Sequence, residues 1–353
     1  MAAATTQPDI ASPAQGRKKL VRRTGRDYSQ RLRLISQLSF LLLNIWIGVQ
    51  FYLWVRFYET GATSGIVSRP AGVEGWLPIA GLMNLKYLLL TGSMPIVHPA
   101  SLVLLASFLV ICLLLRKAFC SWLCPIGTIS EYLWKLGRRT FRRNFALPRW
   151  ADLILRSLKY LLLAFFVWAV VNMSATDIDA FQRSPYGLIV DVRMLNFFRF
   201  LGTTAAVVLG ILALLSIFVQ NFWCRYLCPY GALLGLVSLG SPAKIKRYAD
   251  PCIDCEKCAK ACPSSLAVDQ LVTIRSAECT GCLECVAICP AKDALHLELP
   301  RKTVVPSWAI AACVALIFFG AVAAAKLANH WDTPVPDYVL RQLVPAASGQ
   351  LHP

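Results

Sequence analysis

The chain has 353 residues, of which 57% are hydrophobic, and its mean hydropathy is +0.55. That composition excludes an ordinary soluble domain and places the chain among proteins that insert into membranes. The net charge of +17 would suit a nucleic-acid binder, but its distribution along the chain excludes nucleic acid and follows membrane topology instead.

Residues 1–33 are polar, rich in Ala, Gln, Pro and Arg, with no apolar run ahead of a small-residue cleavage site. They are expected to form a disordered basic arm without a cleaved signal peptide, and Arg22-Arg23 lacks the context of a twin-arginine signal. Five apolar stretches then reach the roughly 20 residues that cross a hydrocarbon core, namely 34–55, 97–115, 153–171, 203–223 and 304–325. Residues 76–90 are shorter and interrupted, and predict an interfacial or re-entrant piece. Basic residues crowd before the first span (Arg17, Lys18, Lys19, Arg22, Arg23, Arg26, Arg31, Arg33) and again within 116–152, whereas loops 56–96 and 172–202 carry three each. By the positive-inside rule the arm, the 116–152 loop and residues 224–303 are expected in the cytoplasm, against lipid headgroups. The tail 326–353 then falls in the periplasm.

Two short segments nearly repeat each other, FCSWLCPIG from Phe119 to Gly127 and WCRYLCPYG from Trp223 to Gly231, 104 residues apart. Each follows a predicted span, so residues 34–240 are expected to form a membrane domain of two parallel repeats with both motifs at one surface. A spacing of four places Cys120 over Cys124, and Cys224 over Cys228, on one helix face. Pro then favours an extended residue before it, and Gly permits a tight bend. Together the four thiolates could serve a further iron–sulfur cluster, another soft-metal centre or a redox-active dithiol system. Cys112 and Cys313 stand alone within spans, where packing explains them.

Between Cys252 and Pro290 the chain writes C-x2-C-x2-C-x3-C-P twice. This is the ligand run of bacterial two-cluster ferredoxins, in which the fourth Cys of each run ligates the other [4Fe–4S] cluster. The crossed rule assigns Cys252, Cys255, Cys258 and Cys289 to one cluster, and Cys279, Cys282, Cys285 and Cys262 to the other. Zinc also takes Cys-x2-Cys pairs, but explains neither the third Cys nor the Cys-Pro ending that occurs twice. The expected fold is an α-helical integral membrane bundle with an inserted ferredoxin-type α+β domain at 241–303, ahead of the fifth span. Ser241–Pro251 would be its tether, Ala294–Leu299 its closing strand, and Asp250, Asp254, Glu256, Glu278 and Glu284 its solvated face.

At these residues the chain resembles the NapH/NosR-type membrane polyferredoxins, from about the first span to Leu299. The resemblance implies an inner-membrane electron-transfer protein of a respiratory system, a quinol dehydrogenase-type subunit linking the quinol pool to periplasmic reductases or their maturation. It carries the eight ferredoxin Cys onto cluster ligands, and Cys120, Cys124, Cys224 and Cys228 onto the signature pairs. NosR-type members place a large flavin-binding domain ahead of the membrane part, where 33 residues precede the first predicted span here. NapH-type members usually have four spans. The plan is nearest to the shorter YccM-like subgroup.

Quinone chemistry needs a proton acceptor near the interface. The candidates are Arg156 and Lys159 near a span end, His98 at the start of the second span, and Asp177, Asp179, Asp191 and Arg193 in the far loop; anchoring and loop solvation account for most of them. The sequence has no C-x-x-C-H, dinucleotide fingerprint or P-loop, so it indicates no c-type haem, hydride carrier or ATP hydrolysis. From a different functional class comes the rival reading: an electron donor for copper reduction or metalloenzyme maturation through the CxxxCP thiols.

Overall fold

The computed structural model describes residues 21–23, 27–61, 67–142, 144, 145 and 147–348; most of the N-terminal arm and the last five residues of the tail lie outside these. Helix α1 runs Ser29–Glu59, about 46 Å at the α-helical rise, and so begins inside the residues assigned to the arm. A 3-10 turn at Ala71–Trp76 leads to α2 (Pro78–Thr91), which occupies the stretch expected to be interfacial or re-entrant, and then to α3 (Pro99–Leu115). Both helices start with Pro in the first turn, where its missing N–H costs nothing. Ten of the 17 residues of α3 are buried, which makes it the central helix. The chain continues through α4 (Ala118–Trp122), α5 (Pro125–Phe141) and α6 (Arg149–Val171).

Short helices α7 (Ala175–Arg183), α8 (Pro185–Leu188) and α9 (Val190–Arg199) precede α10 (Thr203–Phe218). A π-helical turn at Trp223–Leu227 and α11 (Pro229–Ser238) complete the second repeat. The cluster loops hold the short helices α12 (Lys257–Ala261) and α13 (Glu284–Ile288), and beyond them lie α14 (Ser307–Leu327) and α15 (Asp337–Ser348). Among the described residues three helices are long and apolar enough to cross a membrane: α1, Trp150–Val171 within α6, and α14. The α9–α10 pair, bent by 82°, would make a fourth. The five predicted spans differ from this at α3 and α10, with 17 and 16 residues. One is enclosed by its neighbours and the other follows a sharp bend at Phe200–Gly202.

Strands β1 (Lys244–Arg247), β2 (Leu295–Leu299) and β3 (Thr303–Val304) form an antiparallel sheet, with Lys244 opposite Glu298 and Leu299 opposite Thr303. The residues expected to tether the ferredoxin unit are thus its first strand. Among the described residues this unit shares its core with the helices: one contiguous cluster runs from Phe108 and Ile111 of α3 through Phe119, Trp122 and Leu123 to Ile245, Ile274 and Leu297. At the opposite end Val344 and Ala347 of α15 pack on Phe51, Trp54 and Val55 of α1. The tail is therefore anchored, and the two ends of the described chain lie at opposite ends of the molecule.

Candidate iron–sulfur and thiol sites

The two ferredoxin runs adopt the same backbone course, 27 residues apart. Asp254 and Gly281 have φ of 52° and 62°, Glu256 and Leu283 have 58° and 59°, and each run continues into a short helix, α12 (Lys257–Ala261) or α13 (Glu284–Ile288). Cys262 and Cys289 then take φ, ψ of −69°, 117° and −67°, 118°, the extended conformation imposed by the following Pro. Asp254 tolerates this φ in the first run, whereas at Gly281 a Cβ would also crowd the Leu115 carbonyl oxygen at 3.3 Å.

These loops enclose two small cavities. Cys252, Cys255, Cys258 and Cys289 line one, with Pro290 and Ala291. Cys262, Cys279, Cys282 and Cys285 line the other, among Ile245, Leu266, Val268 and Ile274. A set of four thiols around an enclosed, largely apolar space fits a thiolate-held iron–sulfur cluster. Among the described residues no three His, Cys, Asp or Glu side chains close on a single point as ligands of one ion would. The second set is the inner one, with Cys279, Cys282 and Cys285 buried, whereas Cys252, Cys255 and Cys258 are half-buried.

The inner loop is docked on the first CxxxCP segment largely through its backbone carbonyls. Ser121 Oγ donates to Thr280 O at 2.6 Å, Trp122 Nε1 to Gly281 O at 3.2 Å, Arg116 Nη2 to Ser276 O at 2.8 Å, and Gln30 Nε2 to Cys282 O at 3.0 Å. Two ion-pair groups frame this seam. Arg33 grips Glu131 with both Nη atoms at 2.9 and 2.7 Å and reaches Glu284 at 2.5 Å; Lys159 Nζ lies 2.7 Å from both oxygens of Glu278. Burial alone would push the Glu278 carboxyl up, but the charges of Lys117 and Lys159, with hydrogen bonds from Lys159 and Tyr160, hold it below the usual range. Glu278 and Glu284 are thus docking groups, while Asp254 and Glu256 are the solvated acids, paired with Arg247 and Lys260. Over the outer loop, Arg22 bridges to Ala291 and Arg23 N donates to Pro290 O at 3.1 Å.

The two CxxxCP motifs are helix starts. Cys124 caps α5 and Cys228 caps α11, with Pro next and the Gly N–H donating to the capping sulfur at 3.4 Å (Gly127) and 3.2 Å (Gly231). Burial pushes the Cys124 thiol up to about 12, with the Gly127 N–H opposing the rise. Cys120, Cys124, Cys224 and Cys228 all line one cavity of about 820 Å³. Its walls are otherwise mainly apolar, with Phe40, Leu43 and Ile47 from α1, Leu104 and Phe108 from α3 and Phe318 from α14. Lys117, 4% exposed, also lines it, a residue that sequence reasoning had grouped with the topological basic residues. Its place just ahead of Cys120, where the second repeat carries Asn221, was the available signal.

The remaining candidates lie elsewhere. His98 and Asp191 meet at the opposite end: His98 Nδ1 is 3.2 Å from Glu74 Oε1, and Arg69 Nη2 contacts Glu74 at 2.9 Å and Asp191 at 2.7 Å, in a buried network closed by Thr333. Asp177 closes a capping box with Ser174, Asp179 pairs with Arg183, Arg193 stacks on Tyr186 and Arg156 pairs with Asp152. Cys112 is buried and Cys313 exposed on α14.

Residues 97–144 and 201–247, which hold the two CxxxCP repeats, match the family model of a 4Fe-4S binding domain; residues 243–297 match that of a 4Fe-4S dicluster domain. YccM of Escherichia coli (strain K12), named for electron transport, is 49% identical over 89% of this chain and 90% of its own length. The ferredoxin-type protein NapH of the same organism is 29% identical over 49% of this chain and 59% of its own. The regulatory protein NosR of Pseudomonas aeruginosa is 30% identical over 48% of this chain and 23% of its own. No solved structure matches.

Proposed function

We propose that this chain, which belongs to the NapH/NosR-type membrane polyferredoxin family, moves electrons between the quinol pool and a respiratory or periplasmic reductase pathway. The carrying observation is the division of eight thiols into two four-thiol cavities in the crossed pattern, with the inner loop fastened to the membrane domain. Cys252, Cys255, Cys258 and Cys289 would hold the outer [4Fe–4S] cluster, and Cys262, Cys279, Cys282 and Cys285 the inner one. Bound there, such clusters supply one-electron transfer. The protein's part is to bury the inner set, keep the outer set near solvent and hold both rigidly against the helices.

Cys120, Cys124, Cys224 and Cys228 form a third redox centre in this reading. In support, they face one cavity, two of them cap helix N-termini, and the match to a 4Fe-4S binding domain covers both pairs. Counting α3 and α10 with the three long helices gives five crossings, with the ferredoxin unit cytoplasmic and α15 periplasmic, as the basic residues before α1 and around α5 favour. Quinol is the substrate, oxidised to quinone with release of two protons while its two electrons pass singly to the clusters.

Anaerobic addition of a menaquinol or ubiquinol analogue to native membranes holding the protein should bleach the iron–sulfur absorbance. Clusters that dithionite reduces but neither quinol does would overturn the quinol assignment.

A further inference from the structure

The 820 Å³ cavity is larger than the four CxxxCP thiols require. Along α1 it is lined from Arg33 to Gln50, about 25 Å of helix, which approaches the roughly 30 Å of a hydrocarbon core. Its middle is apolar and its thiol end is aromatic: the Phe108 and Phe119 rings stack at 4.0 Å, with Tyr230 edge-on to Phe119 at 6.1 Å. Two hydrogen-bond donors at that end, Lys117 Nζ and the Tyr230 hydroxyl, line the cavity with no hydrogen-bond partner among the described residues. Glu278 and the CxxxCP thiols are the charge neighbours of Lys117, and its ammonium protons face the cavity open to an acceptor that a ligand brings.

We propose that this cavity is the quinone site, with a ring oxygen accepting from Lys117 Nζ and Tyr230 beside the CxxxCP thiols, and the isoprenoid tail lying along Phe40, Leu43 and Ile47. The inference rests on the quinol reading above and adds its location. A flat ring with carbonyl acceptors matches stacked aromatics and two donors, and a long apolar tail matches the channel along α1. A lipid acyl chain would fill the channel but leave the donors unanswered. Ring placement at this end is also the one that lies beside the docked inner loop, since Ser264, Glu278 and Thr280 line the same cavity.

The test uses the full-length protein in membranes, a photoreactive azidoquinone, and the variants Ile47→Trp and Lys117→Met, with Lys117→Arg as the conservative control. Photolabel is expected on peptides of α1 or α3 and to be displaced by unlabelled quinol. Ile47→Trp, far along the helix from any Cys, should keep full iron content and dithionite reduction while quinol-driven reduction slows at least tenfold. Lys117→Met should slow it likewise and Lys117→Arg should restore part of the rate. Wild-type protein reduced by quinol, with label elsewhere or with both variants at wild-type rates, would overturn the site alone. Wild-type protein that neither binds the label nor accepts quinol electrons would overturn the quinol reading and the site with it.

Discussion

Cys262 and Cys289 show how much a single residue can say here. Each ends its own run in sequence yet lines the cavity of the other run. Replacing Cys262 or Cys285 by Ser should therefore alter the same electron paramagnetic resonance signal of the reduced protein, while Cys258→Ser and Cys289→Ser alter the other. A signal shared by Cys262 and Cys258 instead would break the crossed assignment. Spacing made these eight residues legible, because a cluster loop is a local structure whose ligands follow one another along the chain. Glu131 was not legible, since its partner Arg33 lies 98 residues away and no periodicity links them. Both are nearly buried, at 7% and 4% side-chain exposure, so Glu131→Gln leaves a buried guanidinium with Glu284 as its remaining carboxylate. A loss of about 3 kcal/mol is expected, read as a lower denaturant midpoint for cluster bleaching. Burial would push the Glu131 carboxyl up, but Arg33 and Lys135 hold it below the ordinary 4.5. Its folded value is depressed, so its stabilising share is whole above pH 4.5 and disappears as pH falls through that lower value; in Glu131→Gln this acid-dependent loss should be absent.

At the scale of elements, the duplicated CxxxCP motif was legible as a repeat, and the helix starts that it builds follow from Cys at the cap and Pro at the first position. What the repeat hid is its asymmetry. A Cβ on Gly127 would stand 2.3 Å from the Cys120 carbonyl oxygen, whereas on Gly231 the nearest atoms would be Cys228 Sγ at 3.5 Å and Lys117 Nζ at 3.6 Å. Gly127→Ala should disrupt the thiol pair and lower the yield of folded protein, and Gly231→Ala should be tolerated. Equal damage from both, judged by purified yield and absorbance, would contradict this geometry. The segment Ser241–Pro251 taught the converse lesson. Its basic residues suggested a tether, but alternation in Lys244–Arg247 places Ile245 and Arg247 inward and makes it a strand. Four residues are too few for that period to stand out before the partner strand is known.

For the whole molecule, hydropathy located the apolar helices but not their roles. α3 reads as one span among five, yet its burial makes it the axis on which α2, α11 and α14 pack. The ferredoxin unit, in turn, shares its core with the helices. The described N-terminal residues lie by the outer cluster loop and α15 lies by the far end of α1, as the proposed five crossings require. A C-terminal alkaline phosphatase fusion should therefore be active and an N-terminal one inactive; activity at both would refute the proposed topology. The most direct test of the iron–sulfur assignment is the content of protein purified without oxygen. Two cubanes predict about eight iron and eight acid-labile sulfide per chain, and a further cubane at the CxxxCP thiols about twelve of each. Iron and sulfide near zero, with stoichiometric zinc in their place, would contradict it.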